Sequence, residues 1–254
     1  MKMKKSLCLL AVLSTVSTLT LAADEKQWPF PGEVTGNIAV LSSYDLRGIT
    51  NTPENDKVTM QAGLEYGHPS GFYLGYWGST LGYSLTKFDD VTEEYSGRKS
   101  FENDFNIGYR GKINDDWGYT VGGTYYMYYE SDAKSDYFET LLGVNYQKLA
   151  ITAQTATKDV DTANKGDTYF LATYAHELPR DFTANIGLGA YYYGDSDKYL
   201  KTTETFNFRH LTLGVSHPLG DTGALMNLDF IVGGYDRMNE KQKNKVALGL
   251  KYNF

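Results

Sequence analysis

The sequence is poor in cysteine and proline and has no long apolar run beyond its first 22 residues. Cys8 is the only cysteine among 254 residues, and only six prolines stand beside 26 glycines. A chain with a single thiol forms no internal disulfide and offers no multi-cysteine metal site. Beyond residue 22, no segment approaches the roughly 20 apolar residues that a membrane-spanning helix needs. The sequence therefore excludes a helical membrane protein.

The first 22 residues have the pattern of a secretory signal peptide. A basic region at residues 1–5 precedes an apolar stretch over residues 7–21, and small residues follow, so we expect cleavage after Ala22 or Ala23. Removing its three lysines leaves 21 Lys and Arg against 31 Asp and Glu, a net charge of −10. A chain this acidic is not expected to bind nucleic acid.

Along the rest of the chain, apolar and polar residues alternate with a period of two. In the clearest segment, Phe105, Ile107 and Tyr109 are separated by Asn106 and Gly108. Such alternation predicts strands with one apolar and one polar face. It predicts twelve of them, over residues 34–47, 57–66, 72–77, 101–110, 117–127, 138–147, 149–157, 168–176, 182–192, 210–216, 224–232 and 245–254. The eighth has apolar residues on both faces, which leaves its register open.

The predicted connections alternate between short and long. The short ones lie at 67–71, 112–116, 147–148, 178–181 and 218–223. The others are mostly longer and charged, at 48–56, 80–100, 131–135, 158–167, 194–203 and 236–244. Short turns on one side and long loops on the other are typical of an outer-membrane barrel, whereas a soluble sandwich predicts no such asymmetry. We therefore predict an all-β fold, a transmembrane antiparallel up-and-down β-barrel of twelve strands formed by residues 23–254.

Aromatic residues collect at both ends of the predicted apolar faces. One set lies near the short turns: Tyr66, Phe72, Tyr109, Trp117, Tyr119, Tyr146, Phe182, Tyr252 and Phe254. A second set lies near the long loops: Tyr44, Tyr76, Phe101, Tyr129, Tyr192 and Tyr235. Two such girdles are typical of a barrel whose apolar face contacts lipid.

The sequence resembles outer-membrane proteins at its end and in five segments farther upstream. The end of the chain resembles the outer-membrane assembly signal, through Gly249, Tyr252 and Phe254. Farther upstream, the chain resembles the TorF-like family of outer-membrane porins of Gram-negative bacteria, in the segments 36–40, 42–50, 71–79, 108–111 and 137–139. The resemblance implies an outer-membrane barrel. As partners we expect outer-membrane lipid, lipopolysaccharide and the barrel-assembly machinery.

The polar face of the strands is expected to line the lumen. The predicted lining residues are Gln61, Glu65, Glu102, Asp104, Asn106, Arg110, Glu139, Asn145, Asn185, Asn227, Asp229 and Lys251. Glycines recur on this face, and by the same parity Tyr73, Tyr126, Tyr191 and Tyr193 point inward. A barrel of twelve strands leaves a narrow pore only where many inward residues are small. The sequence thus predicts a channel for passive diffusion of small hydrophilic solutes, without catalytic residues, cofactor or metal.

Two other functions stay open, a closed structural or surface-interaction barrel and a lipid-modifying outer-membrane enzyme. An outer-membrane phospholipase of twelve strands uses a His and a Ser two residues apart. Here His68 and Ser70 have that spacing, but they lie in a predicted turn around Pro69.

Two groups of acids are further candidates for chemistry. Glu102 and Asp104 could form an acid/base pair, but alternate acids are also what a water-filled lumen carries. The acids of the loop at 158–167 lack the glycine and terminal glutamate of a calcium-binding loop. The sequence favours lumen electrostatics for the first group and solvated charge for the second.

Overall fold

The computed structural model describes residues 30–50, 54–82, 87–89, 94–96, 99–129, 135–194 and 200–254. Within these ranges the strands are β1 (Glu33–Leu41), β2 (Thr59–Gly67), β3 (Phe72–Thr80), β4 (Lys87–Asp89), β5 (Glu94–Ser96), β6 (Phe101–Lys112), β7 (Trp117–Tyr129), β8 (Tyr137–Tyr146), β9 (Leu149–Ala156), β10 (Thr168–Glu177), β11 (Thr183–Tyr192), β12 (Phe206–Pro218), β13 (Ala224–Gly233) and β14 (Lys245–Asn253). One 3₁₀ turn spans Glu54–Asp56. The expected signal peptide lies outside the described residues.

Twelve of the strands close into one antiparallel barrel. Each pairs with its neighbour along the chain, in the order β1-β2-β3-β6-β7-β8-β9-β10-β11-β12-β13-β14, and β14 pairs back with β1. The two remaining strands, β4 and β5, form a separate hairpin within the connection between β3 and β6. The predicted fold, a closed twelve-stranded barrel, is confirmed. In the part of the chain that the structure covers, no helix has the length and apolar character needed to cross a membrane.

The apolar faces of the strands point away from the barrel. Leu64, Ile107 and Leu248 are 50%, 46% and 50% exposed, as befits side chains that meet lipid rather than a second sheet. Strand β10, whose register the alternation left open, presents Phe170 outward and buries Tyr169 in the lumen. The backbone pairing with β9 and β11 decides between its two apolar faces.

The connections differ in length as predicted. Turns at 68–71, 113–116, 147–148, 178–182 and 219–223 join the strands at one end, here called the short-turn end. Longer segments at 42–58, 81–100, 130–136, 157–167, 193–205 and 234–244 join them at the other, the long-loop end.

The first strand is shorter than its alternating sequence suggests. The prediction of a strand to Arg47 is wrong, because β1 ends at Leu41 and the chain then turns into the barrel. Tyr44, expected in the lipid-facing girdle, is only 7% exposed and lies inside. Its hydroxyl group has a carboxylate partner in the lumen, which lipid does not provide.

Candidate functional site

The predicted lining residues lie on the wall face opposite the exposed apolar side chains, at two levels. Gln61, Glu102, Asp104 and Glu139 lie in the half nearer the long loops, where the two glutamates are each 1% exposed. The others lie at mid-height or nearer the short turns and are half-buried: Glu65, Asn106, Arg110, Asn145, Asn185, Asn227, Asp229 and Lys251. The lumen is therefore tightly filled at the long-loop end and less filled toward the short-turn end.

Residues 42–50, the inner segment, fill the lumen near the long loops. Hydrogen bonds from Arg209 Nε to the carbonyl oxygen of Arg47 (3.0 Å) and from Lys245 Nζ to that of Ile49 (2.8 Å) hold its backbone. Lys245 also forms an ion pair with Asp45. The chain turns through two successive left-handed residues, Arg47 (φ 51°) and Gly48 (φ 71°), and this turn directs the Arg47 side chain across the barrel.

The guanidinium of Arg47 is enclosed by groups from four strands. Its two terminal nitrogens donate to the two oxygens of Glu139 on β8, at 2.9 and 2.5 Å. They also donate to the hydroxyl groups of Tyr191 on β11 (2.7 Å) and Tyr126 on β7 (3.1 Å). The ring of Tyr169 on β10 faces the cation at 4.8 Å. We call these four wall residues the guanidinium cage.

The cage keeps Arg47 charged. Burial lowers the pKa of its guanidinium, but the charge and hydrogen bonds of Glu139, together with Tyr191 and Tyr126, outweigh this effect, and the pKa lies well above its ordinary value. Glu139 is itself held in place, since it accepts hydrogen bonds from Tyr126 (2.9 Å) and Tyr137 (3.2 Å). A bidentate charge-assisted pair with this support is among the strong polar contacts of proteins. It joins the inner segment to the opposite wall.

A second acidic site lies beside the cage on β6. Glu102 accepts hydrogen bonds from the hydroxyl groups of Tyr44 (2.6 Å) and Tyr128 (3.0 Å). Asp104 lies opposite Tyr126 in the β6–β7 pairing, and its buried Oδ1 has no hydrogen-bond partner among the residues that the structure describes. The wall around Arg47 therefore carries three carboxyl groups, those of Glu102, Asp104 and Glu139, beside the single arginine.

Toward the short turns, one ion pair dominates the lining. Arg110 donates to both oxygens of Glu65 at 2.6 and 2.8 Å and lies 3.8 Å over the ring of Tyr73. Tyr73 lies across Gly108 and Gly122, where an added Cβ would come within 2.5 and 3.0 Å of its hydroxyl oxygen. Tyr73, which the alternation predicts to point inward, thus packs over two neighbouring glycines. Both charged side chains are about one-fifth exposed.

The acids of the loop at 157–167 hold protein groups together. Asp167 pairs with Arg237 and accepts backbone hydrogen bonds from Asn164 (2.8 Å) and Gly194 (2.7 Å). These contacts join three long connections at the mouth of the barrel. The described residues contain no group of three or more His, Cys, Asp or Glu placed to hold a metal ion.

His68 and Ser70 contact one another in the turn between β2 and β3. Nδ1 of His68 lies 2.8 Å from Oγ of Ser70 and also accepts the backbone N–H of Ser70 at 3.1 Å. At the short-turn end, Ser70 is exposed and His68 is half-buried. The contact is local to the turn and lies away from the cage.

Sequence reasoning missed the inner segment. The alternation places Arg47 at the end of a predicted strand, whereas its partners on β7, β8, β10 and β11 lie 79 or more residues away. The one local signal is Gly48, where an added Cβ would lie 2.7 Å from His210. A glycine after alternating residues indicates a turn but not its direction.

The chain matches a known protein family. Residues 25–170, more than half of the chain, match the family described as "Bacterial protein of unknown function (Gcw_chp)". A search of curated proteins finds no match.

Several solved outer-membrane barrels are similar in structure. The KdgM porin has a TM-score of 0.51 at 9% identity, covering 87% of this chain and 99% of the porin. The KdgM porin in complex with disordered oligogalacturonate has a TM-score of 0.50, with the same identity and the same coverage of both chains. The Salmonella typhi outer membrane phospholipase dimer with bound calcium has a TM-score of 0.46 at 13% identity, covering 88% of this chain and 93% of the phospholipase. The two KdgM structures support an outer-membrane barrel fold.

Proposed function

The chain belongs to the Gcw_chp family of bacterial proteins, and on that premise we propose that it is a porin-like channel of the Gram-negative outer membrane. Its solutes are small and hydrophilic, and they pass by passive diffusion without a chemical step, catalytic residue or cofactor. We assign it to the TorF-like porins on the segments quoted above. The barrel reaches the outer membrane after signal-peptide cleavage and contacts lipid and lipopolysaccharide there.

The observation that carries this proposal is the contrast between the two faces of the wall. The outer face is apolar and exposed, while the inner face carries amide and charged groups over its whole height. A barrel that served only as a scaffold gains more stability from a packed apolar interior, because buried charges cost free energy unless they are paired. Half-buried groups such as Asn145, Asn185 and Lys251 suit a lumen that contains water.

The fold supports the proposal at a coarser level. The KdgM porin, which has been solved in complex with disordered oligogalacturonate, has a similar barrel. Here the inner segment narrows the long-loop half, so we expect a small conductance and a low size limit. Toward the short turns, where the lining residues are half-buried, we expect a wider vestibule.

Liposome swelling and planar-bilayer recording test the channel. Purified barrel should admit small neutral solutes at rates that fall steeply with size, and should give discrete conductance steps. A matched variant in which residues 42–50 are replaced by a short Gly/Ser linker should conduct more. A variant without the inner segment that folds but admits neither ions nor solutes would overturn the proposal.

A closed barrel is the second candidate, and the inner segment favours it. The segment joins β1 to the opposite wall through Arg47 and Glu139, and the side chains there are almost completely buried. In a closed barrel, the functional surface would be the long connections that Asp167 and Arg237 join at the mouth. Absence of conductance in both the wild type and the linker variant would support this candidate.

The lipid-modifying alternative depends on His68 and Ser70. Their 2.8 Å contact is the one observation that favours it. We expect purified protein to leave phospholipid intact, with Ser70→Ala indistinguishable from wild type. Hydrolysis that disappears in Ser70→Ala would assign the turn a catalytic role.

A further inference from the structure

We infer that the guanidinium cage is an exchange site for cationic solutes, in which a guanidinium or primary ammonium group takes the place of the Arg47 side chain. Arg47 is then an internal occupant of a binding site formed by the wall. This inference rests on the proposed channel function and names its substrate class. Small organic cations are the solutes that the site selects.

The cage has the composition of a recognition site for such a group. Glu139 presents both carboxylate oxygens in the paired geometry that a planar guanidinium matches. Tyr191 and Tyr126 add hydroxyl acceptors, and Tyr169 adds a ring face at 4.8 Å, a distance at which a cation is attracted to an aromatic ring. All four residues belong to the wall, so the cage persists when its occupant leaves.

The charge balance decides which solutes can displace Arg47. A neutral or anionic solute that pushes the arginine aside leaves Glu139, 1% exposed, without a counter-ion. Breaking one partner from a buried ion pair is strongly destabilising, whereas replacing it with another cation keeps the pair. The free-energy cost of displacing Arg47 is therefore small only when the incoming solute is a cation.

The neighbouring acids give an arriving cation a second contact. Asp104 lies opposite Tyr126 of the cage, and within the described part of the chain its buried Oδ1 has no hydrogen-bond partner. Glu102 lies two residues earlier on the same face of β6. An arriving cation can thus contact these two carboxyl groups before Arg47 leaves the cage.

Arg47 can leave without dismantling the inner segment. The backbone of the segment is held by Arg209, by Lys245 and by Thr50, whose N–H donates to Gln242 at 2.7 Å. None of these contacts uses the Arg47 guanidinium. The side chain can therefore swing out on its own stem, and Arg47→Ala removes the occupant while the segment keeps these anchors.

The test measures binding of methylguanidinium to the purified full-length barrel by isothermal titration calorimetry, with methylurea as the uncharged probe of the same shape. In wild type the tethered Arg47 competes, so binding should be weak. Arg47→Ala should bind methylguanidinium at least about tenfold more tightly than wild type does. Methylurea should bind to neither protein. Arg47→Gln serves as a second variant if Arg47→Ala fails to fold.

A matched pair of double variants locates the site. Arg47→Ala with Glu139→Gln should lose the gain in affinity, whereas Arg47→Ala with Glu65→Gln, which removes a lumen acid outside the cage, should keep it. Heat-dependent mobility on gels checks that each variant is folded. Equal binding of the two probes, or a gain that survives Glu139→Gln, would overturn the inference.

Bilayer recordings separate this inference from the channel proposal. Arg47→Ala should conduct more than wild type, and methylguanidinium should lower its current toward the wild-type value. If methylguanidinium binds but no variant conducts, the channel proposal is refuted and the exchange site is supported. If all variants conduct but binding does not depend on the cage, the exchange site is refuted and the channel proposal is supported.

Discussion

Gly36 and Phe254 exchange two backbone hydrogen bonds across the seam that closes the barrel. The N–H of Gly36 donates to the carbonyl oxygen of Phe254 at 2.8 Å, and the N–H of Phe254 donates back at 2.9 Å. The Phe254 ring lies over the glycine, where an added Cβ would come within 2.6 Å of it. The residue predicted to carry the assembly signal therefore also completes the ladder between β1 and β14.

Deleting Phe254 should impair assembly. The deletion removes the last hydrogen-bonded pair of the seam and uncovers Gly36, and an unpaired backbone group in lipid costs several kcal/mol. We expect a large loss of heat-resistant barrel in outer-membrane fractions, with Phe254→Tyr as the conservative control. Wild-type amounts of folded protein after the deletion would contradict this expectation.

The intact protein should fractionate with the outer membrane and migrate differently before and after heating. The exposed apolar wall requires lipid or detergent, and the barrel has no open sheet edge at which unfolding begins easily. Membrane fractionation with gel mobility measures both properties. Recovery from the soluble periplasmic fraction would be incompatible with the proposed location.

Neutralising Glu102 and Asp104 together should shift ion selectivity toward anions. Both lie on the acidic wall of the narrow half, and a narrow passage focuses their field. For wild type we expect a cation preference that is only mild, because Arg47 and Arg110 oppose it. This preference should weaken as the salt concentration rises, because salt screens the charges. Reversal potentials under a salt gradient measure the change.

The control for that experiment is a charge-matched pair outside the lumen. Asp115→Asn with Asp181→Asn removes two acids from exposed short turns. This pair should leave the reversal potential nearly unchanged. If both pairs shift it equally, net charge rather than the lining determines selectivity.

Substituting alanine at two inward glycines should give opposite results. At Gly108, a Cβ would lie 2.5 Å from the Tyr73 hydroxyl oxygen and 2.6 Å from the backbone oxygen of Val121, so we expect a loss of about 1–3 kcal/mol. At Gly187, the nearest atom, Cβ of Thr212, is 3.6 Å away, and alanine should be neutral or stabilising by up to about 1 kcal/mol. Urea unfolding in detergent compares them, and similar effects at both sites would refute the packing role of Tyr73.

The wall could be predicted from sequence because its determinants are local. The period-two alternation needs no knowledge of the partner strand, and turn lengths assign the two ends. Strand β10 shows where this information stops, since Phe170 and Tyr169 are both apolar candidates for the outer face, and pairing with β9 and β11 decides between them.

The contents of the lumen follow from contacts that the local pattern does not record. The alternation continues through Tyr44 to Arg47, yet the chain leaves the wall at Leu41. The cause lies in distant partners, Glu102 for the tyrosine hydroxyl and Glu139 for the arginine. A strand through residues 42–47 would place Tyr44 and Arg47 in the wall. Their hydrogen bonds and ion pair instead hold them inside the lumen.

The wide sequence separation of Arg47 from its partners has a consequence for the order of assembly. Glu139, Tyr191 and Arg209 follow Arg47 by 92, 144 and 162 residues, on strands that must be paired before they surround it. The inner segment therefore contributes nothing to the earliest hairpins and reaches its place only when most of the wall exists. A chain arrested just before this step would be a nearly closed cylinder that holds water in the space the segment later occupies.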